Sequence, residues 1–347
     1  MLLLLRWETC SSLCCTDKRL NVAYSNGTSC FRAAVFSSLG KLSLLGLVMG
    51  LLLGACTPSA PRESDKPRVV STSTILTDLT QEVGGDEIEL TGILPPGSDP
   101  HVYEPVPADT VAFERADLIF YNGFNLEPGL IRMMNAAGLR AEKLAVGEVV
   151  TPLQLEKEGV RVPDPHVWGD VRNAIAMTRA IQAGLTRVAP EDQAEFARNA
   201  DALVRELEAL HAWIQQQIAT IPPAQRRLIT THDAFQYFAN AYGLEVMGTL
   251  IGISTEEQPS AQRVQKLVEA VKSARVPAIF AETTINPRLI TTVAEEAGVK
   301  LAPKPLYSDS IGAPGSNAAT YVDMMVANTT TIVEALGGQV TPFVPPR

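Results

Sequence analysis

Short apolar runs alternate with amphipathic segments along most of the chain, and the alternation comes in two blocks. The first block has runs typical of buried strands at 69–73, 88–93, 117–122 and 143–146. The second block repeats the pattern at 227–231, 244–250, 277–281 and 299–302. Strands that alternate with helices are typical of parallel α/β layers. The pattern therefore predicts an α/β fold of two lobes, 68–189 and 223–347, each with a central, mostly parallel sheet flanked by helices.

One amphipathic segment, much longer than the others, separates the two blocks. Pro190 opens it beside two acidic residues, and Pro222 closes it, as is typical of helix ends. Apolar residues recur inside it at steps of three and four: Phe196, Ala200, Leu203, Leu207, Leu210, Ile214 and Ile218. This stripe predicts a single helix over 190–222, about 45 Å long at 1.5 Å per residue. We expect it to join the lobes rigidly and to restrain their motion.

The N-terminal pattern predicts export rather than a folded domain. An apolar run at 42–53 follows Arg32 and Lys41, and its length of about a dozen residues is short of the roughly 20 that span a bilayer. Such a run is typical of a signal peptide. It ends in Leu-Gly-Ala-Cys at Cys56, which looks like a lipobox. We predict that 1–56 is a signal peptide and that Cys56 carries a lipid; an ordinary cleaved secretory signal is the alternative.

Two further features of this region bear on the organisation of the chain. Residues 1–34 hold four of the five cysteines and are atypical of a signal peptide, so we interpret them as an over-extended start. A cysteine metal cluster is the other interpretation, but the adjacent Cys14 and Cys15 match no zinc template. Residues 57–67 begin with Thr-Pro-Ser-Ala-Pro, which predicts a flexible tether between the anchor and the folded body.

Composition narrows the chemistry that the folded body can use. No cysteine follows Cys56, so a metal site there must use nitrogen and oxygen ligands. Without 1–56 the chain keeps 24 of its 29 Lys and Arg and 36 of its 38 Asp and Glu, so its net charge changes from -9 to about -12. An acidic surface disfavours nucleic acid and attracts cations weakly. We expect a monomer that binds no nucleic acid.

The candidate ligands are histidines that follow predicted strands. His101 ends the sequence Pro-Pro-Gly-Ser-Asp-Pro-His after the second strand, and His166 lies in a second Asp-Pro-His unit. An aspartate beside a histidine can accept one imidazole N–H and so direct the other nitrogen towards a metal. His232 follows the strand at 227–231, where α/β folds place their ligands. The fourth histidine, His211, lies on the long helix, and we interpret it as a packed or surface residue.

Acidic residues of the second lobe could complete such a site. Asp309 lies in the loop after the last strand, and with His101, His166 and His232 it would give three nitrogens and one or two oxygens. A helix cap or turn is the alternative role of Asp309. Glu282 ends the strand at 277–281, and we interpret it as a residue that supports the ligands or the fold.

Five segments carry a resemblance to a known family: GILPPGSDPHVYEPVPADT at 92–110, DPHVWGDVRNA at 164–174, LITTHDAFQYFANAYGLEV at 228–246, PAIFAETTINP at 277–287 and LYSDSIGAPGSNAATYVDMM at 306–325. In combination they resemble the metal-binding substrate-binding proteins of ABC importers, the TroA-like group also called lipoprotein adhesins. The resemblance implies two α/β lobes, a rigid connecting helix and one metal ion between the lobes. It implies His101, His166, His232 and Asp309 as ligands and a membrane permease as partner.

The identity of the ion stays open between zinc and manganese. Imidazole nitrogens suit zinc, and the carboxylate suits harder ions such as manganese. The resemblance adds two opposed indications. Manganese-specific members commonly carry Glu at the position of His232, so this histidine indicates zinc. Zinc-dedicated members often have a His-rich loop, but 152–162 holds no histidine, which indicates manganese.

Two other functions compete with metal delivery. A zinc hydrolase could use three histidines and an open position to activate water, but the chain has no His-Glu-x-x-His, Gly-x-Ser-x-Gly or phosphate-binding glycine motif. An adhesin without a transport role would fit a lipid anchor, but it leaves the histidines unexplained. We therefore predict a protein that is not an enzyme.

Overall fold

The structure is a computed structural model that describes residues 65–136, 139–157 and 159–346. The predicted signal peptide, the predicted lipidation site Cys56 and the first part of the predicted tether lie outside the described residues. Within the described part, no helix combines the length and the apolar character needed to cross a membrane.

The first lobe is built on four parallel strands. They are β1 (Arg68–Ser71), β2 (Glu89–Gly92), β3 (Leu118–Tyr121) and β4 (Glu142–Ala145), in the order β2-β1-β3-β4. Three helices follow the first three strands: α1 (Thr74–Gly84), α2 (Pro107–Arg115) and α3 (Pro128–Ala136). Because β1 pairs with β2 on one side and β3 on the other, the connections leave the sheet in opposite directions at this point. Such a switch point forms a crevice at the carboxyl ends of the strands.

A β-hairpin that the sequence pattern did not predict follows the first sheet. Strands β5 (Gln154–Lys157) and β6 (Val160–Pro163) pair antiparallel and lead into the second Asp-Pro-His unit. Two long helices come next, α4 (Val171–Val188) and α5 (Gln193–Ala219). The hairpin escaped prediction because its residues are mostly polar or exposed and lack the apolar run of a buried strand.

The second lobe repeats the strand order of the first. Its strands are β7 (Arg227–Thr230), β8 (Glu245–Thr249), β9 (Ala278–Ile279) and β10 (Lys300–Leu301), and its helices are α6 (Gln236–Tyr242), α7 (Ala261–Ala274), α8 (Arg288–Ala297) and α9 (Tyr321–Ala335). The pairs β7-β8 and β9-β10 are parallel. The amide of Phe280 donates to the carbonyl of Ile229 at 3.0 Å, so β9 lies beside β7. β9 and β10 are shorter than predicted, because beyond them the ladder narrows to single contacts such as the bridge between Glu282 and Leu306.

Helix α5 is the predicted connector, and it is continuous. A single 3₁₀ turn at Pro190–Asp192 precedes it, and its 27 residues give a length of about 40 Å. Its apolar stripe is buried from Phe196 to Ile218, and the helix packs against α1, α4 and α9. The same core cluster contains Val69 of the first sheet and Leu228 of the second. The predicted α/β fold with two lobes and one long helix is confirmed, whereas the exact lobe boundaries stay a prediction.

Candidate metal centre

Four polar side chains converge where the two lobes meet. His101 lies in the loop after β2, and His166 lies in the turn after β6. His232 directly follows β7, and Asp309 lies in the segment after β10. All four residues are buried, with between 0% and 3% of their surface exposed. Buried polar groups are costly without partners, so this concentration of them requires an explanation.

The ligand-capable atoms of these four residues lie within 4.8 Å of one another. His101 Nε2 is 3.1 Å from His166 Nε2. The Asp309 carboxylate lies between the rings of His166 and His232, with Oδ1 3.4 Å from His166 Nε2 and Oδ2 3.2 Å from His232 Nε2. Three nitrogens and a carboxylate around one point are a donor set that can hold a single divalent metal ion.

Carboxylates outside the cluster orient two of the rings. Asp164 Oδ1 accepts the backbone N–H of His166 at 3.0 Å and the imidazole Nδ1–H at 2.7 Å. Glu282 Oε1 accepts the backbone N–H of His232 at 2.8 Å, and its Oε2 accepts the Nδ1–H of the same residue. A proton fixed on Nδ1 leaves Nε2 with a lone pair, which then faces the centre of the cluster.

The aspartate of the first Asp-Pro-His unit is placed differently. Asp99 Oδ1 accepts the backbone N–H of His101 at 2.9 Å, and Asp99 Oδ2 accepts the hydroxyl of Thr255 at 2.6 Å. Asp99 therefore connects the His101 loop of the first lobe to a loop of the second lobe. The repeated motif predicted the same role for Asp99 and Asp164; Asp164 holds the imidazole of its own unit, and Asp99 binds a backbone N–H of its own unit and a hydroxyl of the other lobe.

Unsatisfied atoms mark the centre of the cluster. Among the buried side-chain atoms of the described residues, His232 Nε2 and both carboxylate oxygens of Asp309 have no hydrogen-bond partner. Burial tends to lower the pKa of His232, but the charges of Glu282 and Asp309 outweigh it and raise this pKa well above 6.5. Burial tends to raise the pKa of Asp309, but the neighbouring histidines outweigh it and hold this pKa well below its ordinary value. A cation at the centre would satisfy all three atoms.

The remaining histidine lies apart from this cluster. His211, on α5, has its Nδ1 3.1 Å from the hydroxyl of Tyr242, and burial lowers its pKa. Its ring packs against the tyrosine ring at a centroid distance of 5.4 Å. His211 is thus a packed helix residue, as its position beside the apolar stripe predicted.

Comparison with known proteins places this geometry in a family. A family described as the zinc-uptake complex component A, periplasmic (ZnuA), matches residues 69–335. The manganese-binding lipoprotein MntA of Halalkalibacterium halodurans is 33% identical over 298 residues, which cover 85% of this chain and 97% of MntA. The manganese ABC transporter substrate-binding lipoprotein PsaA of Streptococcus pneumoniae is 33% identical over 306 residues, which cover 85% of this chain and 98% of PsaA.

The fold agrees with these sequence matches. The periplasmic zinc-binding protein TroA of Treponema pallidum superposes with a TM-score of 0.74 at 32% identity, covering 78% of this chain and 99% of TroA. The resemblance to TroA-like substrate-binding proteins is therefore confirmed. The chain belongs to the ZnuA family, whose curated relatives are substrate-binding lipoproteins of metal ABC transporters.

Proposed function

We propose that this protein captures one divalent metal ion outside the cytoplasm and delivers it to the membrane permease of an ABC importer. One observation carries the proposal: donors from both lobes, His101 and His166 on one side and His232 and Asp309 on the other, meet within 4.8 Å. Their burial isolates the ion from water, and the carboxylates behind His166 and His232 increase the basicity of the nitrogens that face it. The ion is cargo, because the fold contains a complete core without it.

The cargo is a first-row divalent ion, zinc or manganese. Three imidazole nitrogens favour zinc, and the buried carboxylate of Asp309 suits either ion. Relatives of similar identity are named for manganese, as MntA and PsaA are, and for zinc, as TroA is. The donor set thus supports a single site that accepts both ions with different affinity.

The anchoring of the protein rests on the N-terminal sequence. The lipobox-like sequence at Cys56 supports lipidation and retention at the outer face of a membrane. The names of MntA and PsaA describe lipoproteins, which agrees with this assignment. We further propose that the protein acts as a monomer, because one chain supplies all four ligands.

Transport explains the site better than catalysis or adhesion does. A hydrolytic zinc site keeps a position open for water and substrate, whereas these ligands are at most 3% exposed. Adhesion alone would leave unexplained why Asp164 and Glu282 hold two imidazoles in position.

Metal titration with matched histidine variants tests the proposed function. The wild-type protein, stripped with a chelator, should bind one equivalent of Zn²⁺ in calorimetry, and the metal should raise the melting temperature. His166→Ala should lose most of this binding, because a ligand and its Asp164 contact both disappear. His211→Ala is the matched control and should bind as the wild type does. The proposal fails if wild type takes up neither Zn²⁺ nor Mn²⁺, or if His166→Ala and His211→Ala bind alike.

A further inference from the structure

Asp309 is positioned differently from His166 and His232, each of which is held by a neighbouring carboxylate. Asp164 fixes His166, and Glu282 fixes His232, each through a ring N–H and a backbone N–H. In the described structure neither carboxylate oxygen of Asp309 has a hydrogen-bond partner. Apart from its approach to His232 Nε2 at 3.2 Å and to His166 Nε2 at 3.4 Å, the position of this side chain depends on the backbone that carries it.

Contacts from the first lobe hold the residues on both sides of Asp309. On one side, the indole Nε1–H of Trp168 donates to the carbonyl of Ser308 at 3.0 Å. On the other side, the backbone N–H of Gly97 donates to the hydroxyl of Ser310 at 2.7 Å. A ligand of the second lobe is thus positioned by donors of the first lobe.

Thr74, the first residue of α1, completes the contact on the Ser310 side. Its hydroxyl lies 3.2 Å from the Ser310 hydroxyl and accepts the backbone N–H of Ile311 at 3.1 Å. Ser310 is fully buried and Thr74 is 3% exposed, so the bonds of the Thr74 hydroxyl are shielded from water. The Ser310 hydroxyl therefore links Gly97, four residues before His101, to the segment that carries Asp309.

We propose that Ser310 is a positioning residue that couples the His101 loop to the Asp309 segment and so sets the release rate of the metal. The coupling exists only while the lobes are together, because its partners lie on opposite lobes. Breaking it frees the Asp309 segment and withdraws the carboxylate from the ion, while His166 and His232 keep their contacts to Asp164 and Glu282. The proposal rests on the proposed metal-binding function.

Ser308 offers a matched control on the other side of Asp309. Its hydroxyl is buried and has no hydrogen-bond partner in the described structure, so Ser308→Ala removes a hydroxyl without breaking such a bond. Ser310→Ala should release Zn²⁺ about tenfold faster in a stopped-flow chelator experiment, since one buried hydrogen bond is typically worth about that factor. Ser308→Ala should release Zn²⁺ at the wild-type rate.

A second pair of variants keeps the test independent of folding defects in Ser310→Ala. Thr74→Val removes the acceptor of the Ile311 N–H at nearly constant volume and should also speed release, whereas Thr74→Ser keeps the hydroxyl and should not. With Co²⁺ as a probe, the visible spectra of Ser310→Ala and Thr74→Val should shift towards that of Asp309→Asn. A purely structural role would lower the melting temperatures of metal-free and metal-loaded protein equally and leave the spectrum unchanged.

The outcomes separate this inference from the proposed function. If wild type binds Zn²⁺ but Ser310→Ala and Thr74→Val release it at the rate of Ser308→Ala, the coupling role is wrong and metal capture stands. If wild type does not bind Zn²⁺, Co²⁺ or Mn²⁺, the proposed function itself fails.

Discussion

Glu282 holds His232 at two points, the backbone N–H at 2.8 Å and the imidazole Nδ1–H. The two residues are 50 positions apart in the sequence, at the ends of neighbouring strands of the second lobe. One carboxylate therefore fixes both the strand end and the direction of the ring.

The first prediction concerns this carboxylate. In Glu282→Gln the side-chain oxygen can still accept one N–H, but the amide nitrogen cannot accept the other. The Nδ1 proton of His232 loses its partner, the ring can adopt the other tautomer, and Zn²⁺ affinity should fall by about 10- to 100-fold. Competition with a chromophoric chelator measures the affinity. Glu245→Gln, an exposed position, is the control, and equal affinity of the two variants would show that Glu282 does not support the site.

The second prediction concerns metal preference. His232→Glu would place a second buried carboxylate against Glu282, and two carboxylates in contact cannot both ionise without a large cost. The single variant should therefore lose affinity for both Zn²⁺ and Mn²⁺. The double variant His232→Glu with Glu282→Gln removes the repulsion and should recover Mn²⁺ binding more than Zn²⁺ binding. Titrations with both ions test this, and a double variant that still prefers Zn²⁺ as strongly as wild type would contradict it.

The third prediction uses a carboxyl group outside the proposed metal site. Burial raises the pKa of Glu127 from 4.5 to about 7, despite hydrogen bonds from Thr72 and Asn122. Because the folded-state pKa is above the unfolded one, Glu127 destabilises the fold progressively as pH rises from about 4.5 to 7. The resulting loss in the free energy of unfolding is at most about 3 kcal/mol above pH 7.

Replacement of Glu127 by Gln should remove this loss. Urea unfolding of the chelator-treated protein at pH 5 and pH 8 should show a larger gain in stability for Glu127→Gln at pH 8. The same measurement on Glu245→Gln controls for loss of one exposed charge. A gain that is equal at both pH values would mean that Glu127 is ionised throughout.

The fourth prediction concerns the range of lobe motion. Within Gln193–Ala219 there is neither glycine nor proline, so the connecting helix has no position that bends readily. Small-angle scattering of metal-free and Zn²⁺-loaded protein should give nearly the same radius of gyration. A clear decrease on metal addition would show that the lobes close over a wide angle.

The fifth prediction concerns the anchor. Cys56→Ser removes the only thiol at the lipobox-like sequence, so the protein should move from the membrane fraction to the soluble fraction of the host. Fractionation followed by immunoblotting measures this. A variant that stays in the membrane fraction at the wild-type level would exclude lipidation at Cys56.

Local patterns were enough to predict the elements that carry the four proposed ligands. The apolar run that ends before His232 marked β7, and the Asp-Pro-His units marked the loops of His101 and His166. The long helix could be predicted because its apolar residues stay on one face over its whole length. These features are local, since each depends on the spacing of residues within one segment.

Contacts between distant segments could not be predicted in the same way. The bond between Gly97 and Ser310 joins residues 213 positions apart, and the sequence around neither residue predicts it. Asp99 and Asp164 are each followed by Pro-His, but the fold directs the Asp164 carboxylate to a ring and the Asp99 carboxylate to Thr255. Such roles depend on tertiary packing, which periodicity does not encode.

The shared core around helix α5 also has a consequence for folding. One continuous cluster includes Val69 and Phe120 of the first sheet, Leu207 of the helix, and Leu228 and Phe280 of the second sheet. A chain cut on either side of the helix would expose half of this cluster to water, so neither half should form a stable domain alone. We expect the folded body to melt in a single cooperative transition, and a destabilising substitution in either sheet to reduce the fraction of molecules able to carry metal.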